Sequence, residues 1–121
     1  MSYQHILDGN ILDLPVGKVV CVGRNYAEHA KELNNPVPTS PILFMKPSTA
    51  MVALEPGFVI PQAQGECHHE LEMAVLIGQP LKNADEAAAK GAILGYGIGL
   101  DLTLRDLQNR LKKKSHPWEI A

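Results

Sequence analysis

The sequence predicts a mostly-β, α+β fold with short peripheral helices, and three observations carry that expectation. Short apolar, β-branched runs such as Lys18-Val19-Val20-Cys21-Val22 and Ile42-Leu43-Phe44-Met45-Lys46 are closed by glycine or proline, the signature of strands. His68-His69-Glu70-Leu71-Glu72-Met73-Ala74-Val75-Leu76-Ile77-Gly78 sets two carboxylates into an otherwise apolar, strand-like run. A further apolar segment, Ala92–Leu100, places glycines at 95, 97 and 99, leaving one of its faces bare for close approach of a backbone or ligand.

Taken in order, His5-Ile6-Leu7 and Ile11–Leu14 flank Asp8-Gly9-Asn10, good turn chemistry for a hairpin. Lys18–Val22 reads as a buried strand, and Ala27–Leu33 as a short helix on which His29 and Glu32 are neighbours. The three prolines of Asn34–Pro41 exclude regular structure. Ile42–Lys46 is a strand stopped by Pro47, and short strands are expected at Met51–Leu54 and Phe58–Ile60. Asn83, with Glu86 three residues on, caps a predicted helix over Ala84–Lys90 that stops at Gly91. Thr103-Leu104-Arg105-Asp106 has the form of a capping box, so a helix begins at about Leu104 with Leu104, Leu107 and Leu111 as its buried stripe. Arg105 and Gln108 then share another face, while Lys112-Lys113-Lys114 complements the helix C-terminus in solvent.

A chain of 121 residues makes one ordinary domain. Its net charge of −2 gives no electrostatic case for nucleic acid or an anionic membrane. There is no stretch long enough to span a bilayer and no secretory pattern at the N-terminus. Cys21 and Cys67 read as reduced thiols of a cytoplasmic protein.

Residues two apart on a strand share a face, so Glu70 and Glu72 project side by side while Leu71, Met73 and Val75 face the other way. Such a pair takes up a proton or needs a cation. With Asp101 as a third acid the donors are hard and oxygen-only, suiting Mg²⁺ or Mn²⁺; Cys67, His68 and His69 are adjacent and cannot all converge on a zinc ion. The same spacing also fits an edge strand with two solvated glutamates. Likewise His29 and Glu32 fit either a general base or a surface ion pair, and Arg105 either a bidentate clamp for a substrate carboxylate or a solvated charge.

Four stretches together resemble the fumarylacetoacetate hydrolase family, in its acylpyruvase-like branch. They are Cys21-Val22-Gly23-Arg24-Asn25-Tyr26-Ala27-Glu28-His29, Phe44-Met45-Lys46-Pro47, His69-Glu70-Leu71-Glu72 and Gly95–Asp106. The resemblance implies a mixed β-roll with Mg²⁺ or Mn²⁺ held by Glu70, Glu72 and Asp101. It further implies a water-activating dyad at His29 and Glu32 on a lid-like helix, and contacts to a 2-oxo acid from Arg105, Gln108, Arg24 and Lys46. The expected reaction is hydrolysis of a C–C bond in an acylpyruvate through a pyruvate enolate. Alternatives on the same site are oxaloacetate decarboxylation or tautomerisation and hydroxymuconate-type isomerisation. Members of the branch are commonly homodimers of roughly two hundred residues or more per chain, within single-domain range. The chain is therefore expected to be the N-terminal portion of one catalytic domain. It would lack later strands and a further lysine, be non-catalytic on the alternative reading, and depend on association to cover exposed β edges.

Overall fold

The computed structural model describes residues 3–121, except for the side chain of His29. Asp8 and Gly9 both adopt positive φ, 50° and 80°, the backbone of a type I′ turn. They join β1 (Ile6–Leu7) to β2 (Asn10–Ile11) in the predicted hairpin. β3 (Val19–Gly23) and β4 (Ile42–Lys46) form a second antiparallel pair, separated in sequence by α1 (Ala27–Glu32) and the proline loop. The long strands β5 (Cys67–Ile77) and β6 (Ile93–Leu104) form the third, with α2 (Glu86–Gly91) between them, and α3 (Arg105–Lys113) follows β6 without a break.

Several expectations are corrected. Met51–Leu54 and Phe58–Ile60 form no strands; Pro47, Pro56 and Pro61 remove donors around them, and Val52 and Val59 lie open to solvent. Asn83 is not the cap of α2. It takes a left-handed turn, and Asp85 caps instead, its Oδ1 accepting from the Ala88 N–H at 2.8 Å. The capping box at Thr103 does not form either, because β6 runs on through Leu104 and that residue offers no side-chain bond. Asp106 accepts from the Glu66 backbone N–H at 3.0 Å, while the Arg105 N–H donates to the Glu66 carbonyl at 2.9 Å, so α3 is stitched to the start of β5.

β3 is not buried: Val20 and Val22 are exposed. The leucines of α3 are only half-buried, and the buried residue of that helix is Gln108, 7% exposed. Among the described residues the buried apolar side chains are Ala30 and Ala92 alone. The chain exposes 9874 Å², against roughly 6,400 Å² for a compact monomer of its size. The excess includes the apolar face of the β5–β6 hairpin, where Leu71, Met73, Tyr96 and Ile98 are each about two-thirds exposed.

Gly65 precedes the junction between β5 and α3. Its φ of +85° disfavours a side chain, and a Cβ there would stand 2.5 Å from Asp106 Oδ2. Gly65→Ala is therefore expected to destabilise the fold by about 1–3 kcal/mol in denaturant unfolding. A change below about 0.5 kcal/mol, the usual scatter of surface substitutions, would show that this junction carries no such constraint.

Candidate active site

The register of the long hairpin builds the site. Glu70 lies opposite Asp101 and Glu72 opposite Gly99, so in an antiparallel ladder all three carboxylates occupy one face. The same pairing puts Gly95, Gly97 and Gly99 on that face too, opposite Leu76, Ala74 and Glu72. A Cβ at Gly97 or Gly99 would meet nothing within 4 Å, so the ground beside Glu72 is open; Gly95 is covered by Leu7. The bare glycine face expected from the sequence is thus the face that carries the acids.

Cations converge on these acids from two other elements. Lys46, at the end of β4, pairs with Asp101, and Arg105, at the start of α3, pairs with Glu70. Arg105 Nη1 also donates to Gln108 Oε1 at 2.8 Å, the one-face pairing expected from their spacing. Tyr26, just before α1, donates its hydroxyl to Glu72 Oε2 at 3.1 Å. That bond, and then the charge of Glu72, raises the Tyr26 pKa above its ordinary value. Burial, followed by the charge of Asp101, pushes the Cys21 thiol up, so Cys21 is a protonated neighbour of the acids.

Of the expected site residues, Glu70, Glu72, Asp101, Arg105, Gln108 and Lys46 come together. Glu32 lies exposed at the end of α1, and the His29 side chain lies outside the described residues. Arg24, with φ of 52°, lines a separate cleft of about 240 Å³ beside Val37 and Pro38. Lys112 departs from the reading as a solvated helix end. Its Nζ sits 4.4 Å from the centroid of the Trp118 ring, and burial followed by Arg105 and Arg24 lowers its pKa. Sequence reasoning missed Tyr26 and His68 as contributors; the first has no spacing signal, since its partner lies on a distant strand.

The acids fit a hard divalent ion in donor type and in sharing a face. Among the described residues no three His, Cys, Asp or Glu side chains converge on one point; Glu70, Asp101 and Glu72 are paired with Arg105, Lys46 and Tyr26. Three carboxylates against two cations leave one negative charge. A divalent ion would reverse it to a positive charge, which attracts an anionic substrate.

The hairpin thus carries three acids on one face, met by cations from the adjoining strand and helix. Residues 18–121 match the family described as fumarylacetoacetate (FAA) hydrolase C-terminal, and the chain belongs to the fumarylacetoacetate hydrolase family. It is 52% identical over its full length to the oxaloacetate tautomerase YcgM of Escherichia coli (strain K12), covering 55% of that protein. A crystal structure from Oleispira antarctica, provisionally named a fumarylacetoacetate isomerase/hydrolase, matches 98% of the chain at a TM-score of 0.93 and 55% identity, with 53% of that chain covered. The fumarylpyruvate hydrolase of Pseudomonas aeruginosa, solved with Mn²⁺ and pyruvate, matches 94% at a TM-score of 0.80 and 38% identity, with 51% covered. The chain thus spans about half the length of the curated relatives it matches. No helix among the described residues is long and apolar enough to cross a membrane.

The raised Tyr26 pKa is checked by ultraviolet titration of metal-free protein. One tyrosine should ionise above the ordinary range, and Glu72→Gln should return it toward that range. Identical titrations of the two proteins would show that the Tyr26–Glu72 bond is not made in solution.

Proposed function

We propose that this chain carries the ion-binding part of an enzyme that enolises 2-oxo acids, with oxaloacetate tautomerisation as its reaction. The observation that carries the reading is the cross-strand pair Glu70 and Asp101, compensated by Arg105 and Lys46. That arrangement suits a divalent ion and an anionic 2-oxo acid together, and the tautomerase name of the 52% identical relative supports the choice of reaction.

Glu70, Glu72 and Asp101 would hold Mg²⁺ or Mn²⁺. When bound, the ion would polarise the 2-oxo group and favour the enolate. Arg105, steadied by Gln108, orients the substrate carboxylate, since a guanidinium offers two parallel donors to it. Lys46 reaches the acids from β4 and adds a second positive charge to the site, of the sign that would stabilise a developing enolate. The tautomerisation removes a proton from C3 and delivers one to the enol oxygen, or the reverse, so nothing leaves. His29 and Glu32 on α1 are the base in this reading. Tyr26 links the start of α1 to Glu72 and so ties the base-bearing helix to the acids.

The second reading is hydrolysis of an acylpyruvate, in which the same dyad activates a water that attacks the distal carbonyl. The name of the relative solved with Mn²⁺ and pyruvate favours it. The homodimer implied by the resemblance belongs to the same proposal, with the open apolar face of β5–β6 in its support.

Turnover of enol-oxaloacetate and of acetylpyruvate, each with Mn²⁺ and with EDTA, separates the two. Tautomerisation should depend on the metal and fall roughly a hundred-fold or more in Glu70→Gln, because loss of ion contacts costs several kcal/mol at the transition state. Full activity and metal affinity in Glu70→Gln would sink the assignment of the site. Faster metal-dependent cleavage of acetylpyruvate, abolished in His29→Ala, would select the hydrolase.

A further inference from the structure

His68 lies on the same face of β5 as Glu70 and Glu72, opposite Thr103 of β6. Arg105 Nε donates to its Nδ1 at 3.2 Å. An arginine Nε carries its hydrogen, so Nδ1 accepts and the ring proton resides on Nε2. That nitrogen lies 3.2 Å from Glu66 Oε2. Glu66 is the residue whose carbonyl accepts the Arg105 backbone N–H, so one short segment grips Arg105 at both its main chain and, through His68, its side chain.

The guanidinium has five N–H donors in a fixed plane. His68 takes Nε, Gln108 takes one hydrogen of Nη1 and Glu70 one of Nη2. One donor on each terminal nitrogen remains, the number that a carboxylate engages in bidentate fashion. Gln108 and Glu70 hold the two terminal nitrogens but leave the plane free to roll about the line between them. The bond at Nε stops that roll. It lies beside an open cavity of about 370 Å³ lined by Glu66, His68, Glu70 and Arg105.

We propose that His68 is a positioning residue, which locks the plane of the Arg105 guanidinium so that its two remaining donors present to the carboxylate of a 2-oxo acid. The inference rests on the reading of Arg105 as the substrate anchor. A histidine in a run of His, His and Glu invites assignment as a metal ligand; its contacts here are Arg105 and the Glu66 carboxylate, the pattern of a residue that orients another.

Two measurements on wild-type, His68→Ala and His68→Asn protein test this. The first is the Arg105 Nε–H resonance in nitrogen-15 NMR, which needs neither ion nor substrate. It should be resolved and slow to exchange in the wild type, lost among exposed arginines in His68→Ala, and recovered in His68→Asn, whose side-chain oxygen replaces Nδ1 as acceptor. The second is affinity for Mn²⁺ alone and for oxalate on the Mn²⁺-loaded protein. Oxalate should bind about ten-fold more weakly in His68→Ala, a factor in keeping with one charge-assisted hydrogen bond, and within about two-fold of wild type in His68→Asn, with Mn²⁺ affinity unchanged throughout.

An unaltered Arg105 resonance in His68→Ala overturns the proposal, as does equal loss of Mn²⁺ and oxalate binding, which would mark a merely structural role. Wild-type protein that takes up no Mn²⁺ defeats the metal-dependent reading instead, and the Arg105 resonance then decides the role of His68 by itself.

Discussion

The pairing of Glu70 with Asp101 across the β5–β6 ladder is the constraint on which the rest of this structure depends. Directly opposed residues of an antiparallel pair stand about 5 Å apart at Cβ, and like charges so placed repel. The hairpin tolerates them because Arg105 and Lys46 arrive from other elements, each beside one acid. The requirement explains the local architecture. β6 passes without a loop into α3, which delivers Arg105, and β4 ends on Lys46 directly before Pro47 halts the strand. A one-residue slip of the ladder would turn the acids to the apolar face and abolish every one of these contacts.

The two faces of the hairpin differ in chemistry, with His69 as a polar residue on the apolar side and Ala74 and Leu76 as apolar residues on the acid side. On one lie His68, Glu70, Glu72, Thr103, Asp101 and the glycines; on the other lie Leu71, Met73, Val75, Tyr96, Ile98 and Leu100. The polar face is furnished by its own chain, since its acids and donors find partners within it. The apolar face is not, and its side chains remain in water. Hydrophobic burial is the dominant favourable term in folding, and this face contributes little of it; ladder hydrogen bonds and the stitches at Glu66, Arg105 and Asp106 tie the hairpin to α3.

Much of the fold was legible locally. The Asp8-Gly9 turn, the strand at Ile42–Lys46 and the acidic strand are visible in sequence because turn chemistry and period-two patterning act over a few residues. The missing strands at Met51–Leu54 and Phe58–Ile60 were not, since a strand exists only where a neighbour offers a ladder, and no local pattern reports that. The caps failed for a related reason. Asp106 and Asp85 each satisfied a backbone N–H, but which one depended on where β6 ended and where the turn at Asn83 lay.

The sequence by itself determined which chemical groups were available: three carboxylates, the Arg105–Gln108 pair on one helix face and a strand stripped of side chains on one side. Each follows from period-two or period-3.6 spacing, which is a property of the chain alone. Tertiary structure decided what those groups meet. The pairing of Lys46 with Asp101 spans 55 residues, that of Tyr26 with Glu72 spans 46 and that of Arg105 with His68 spans 37. No local periodicity encodes such distances, because they are set by strand register and by the path of the chain between elements. For that reason His68 reads in sequence as one more imidazole in an acidic run, and in the fold as the residue that faces Arg105.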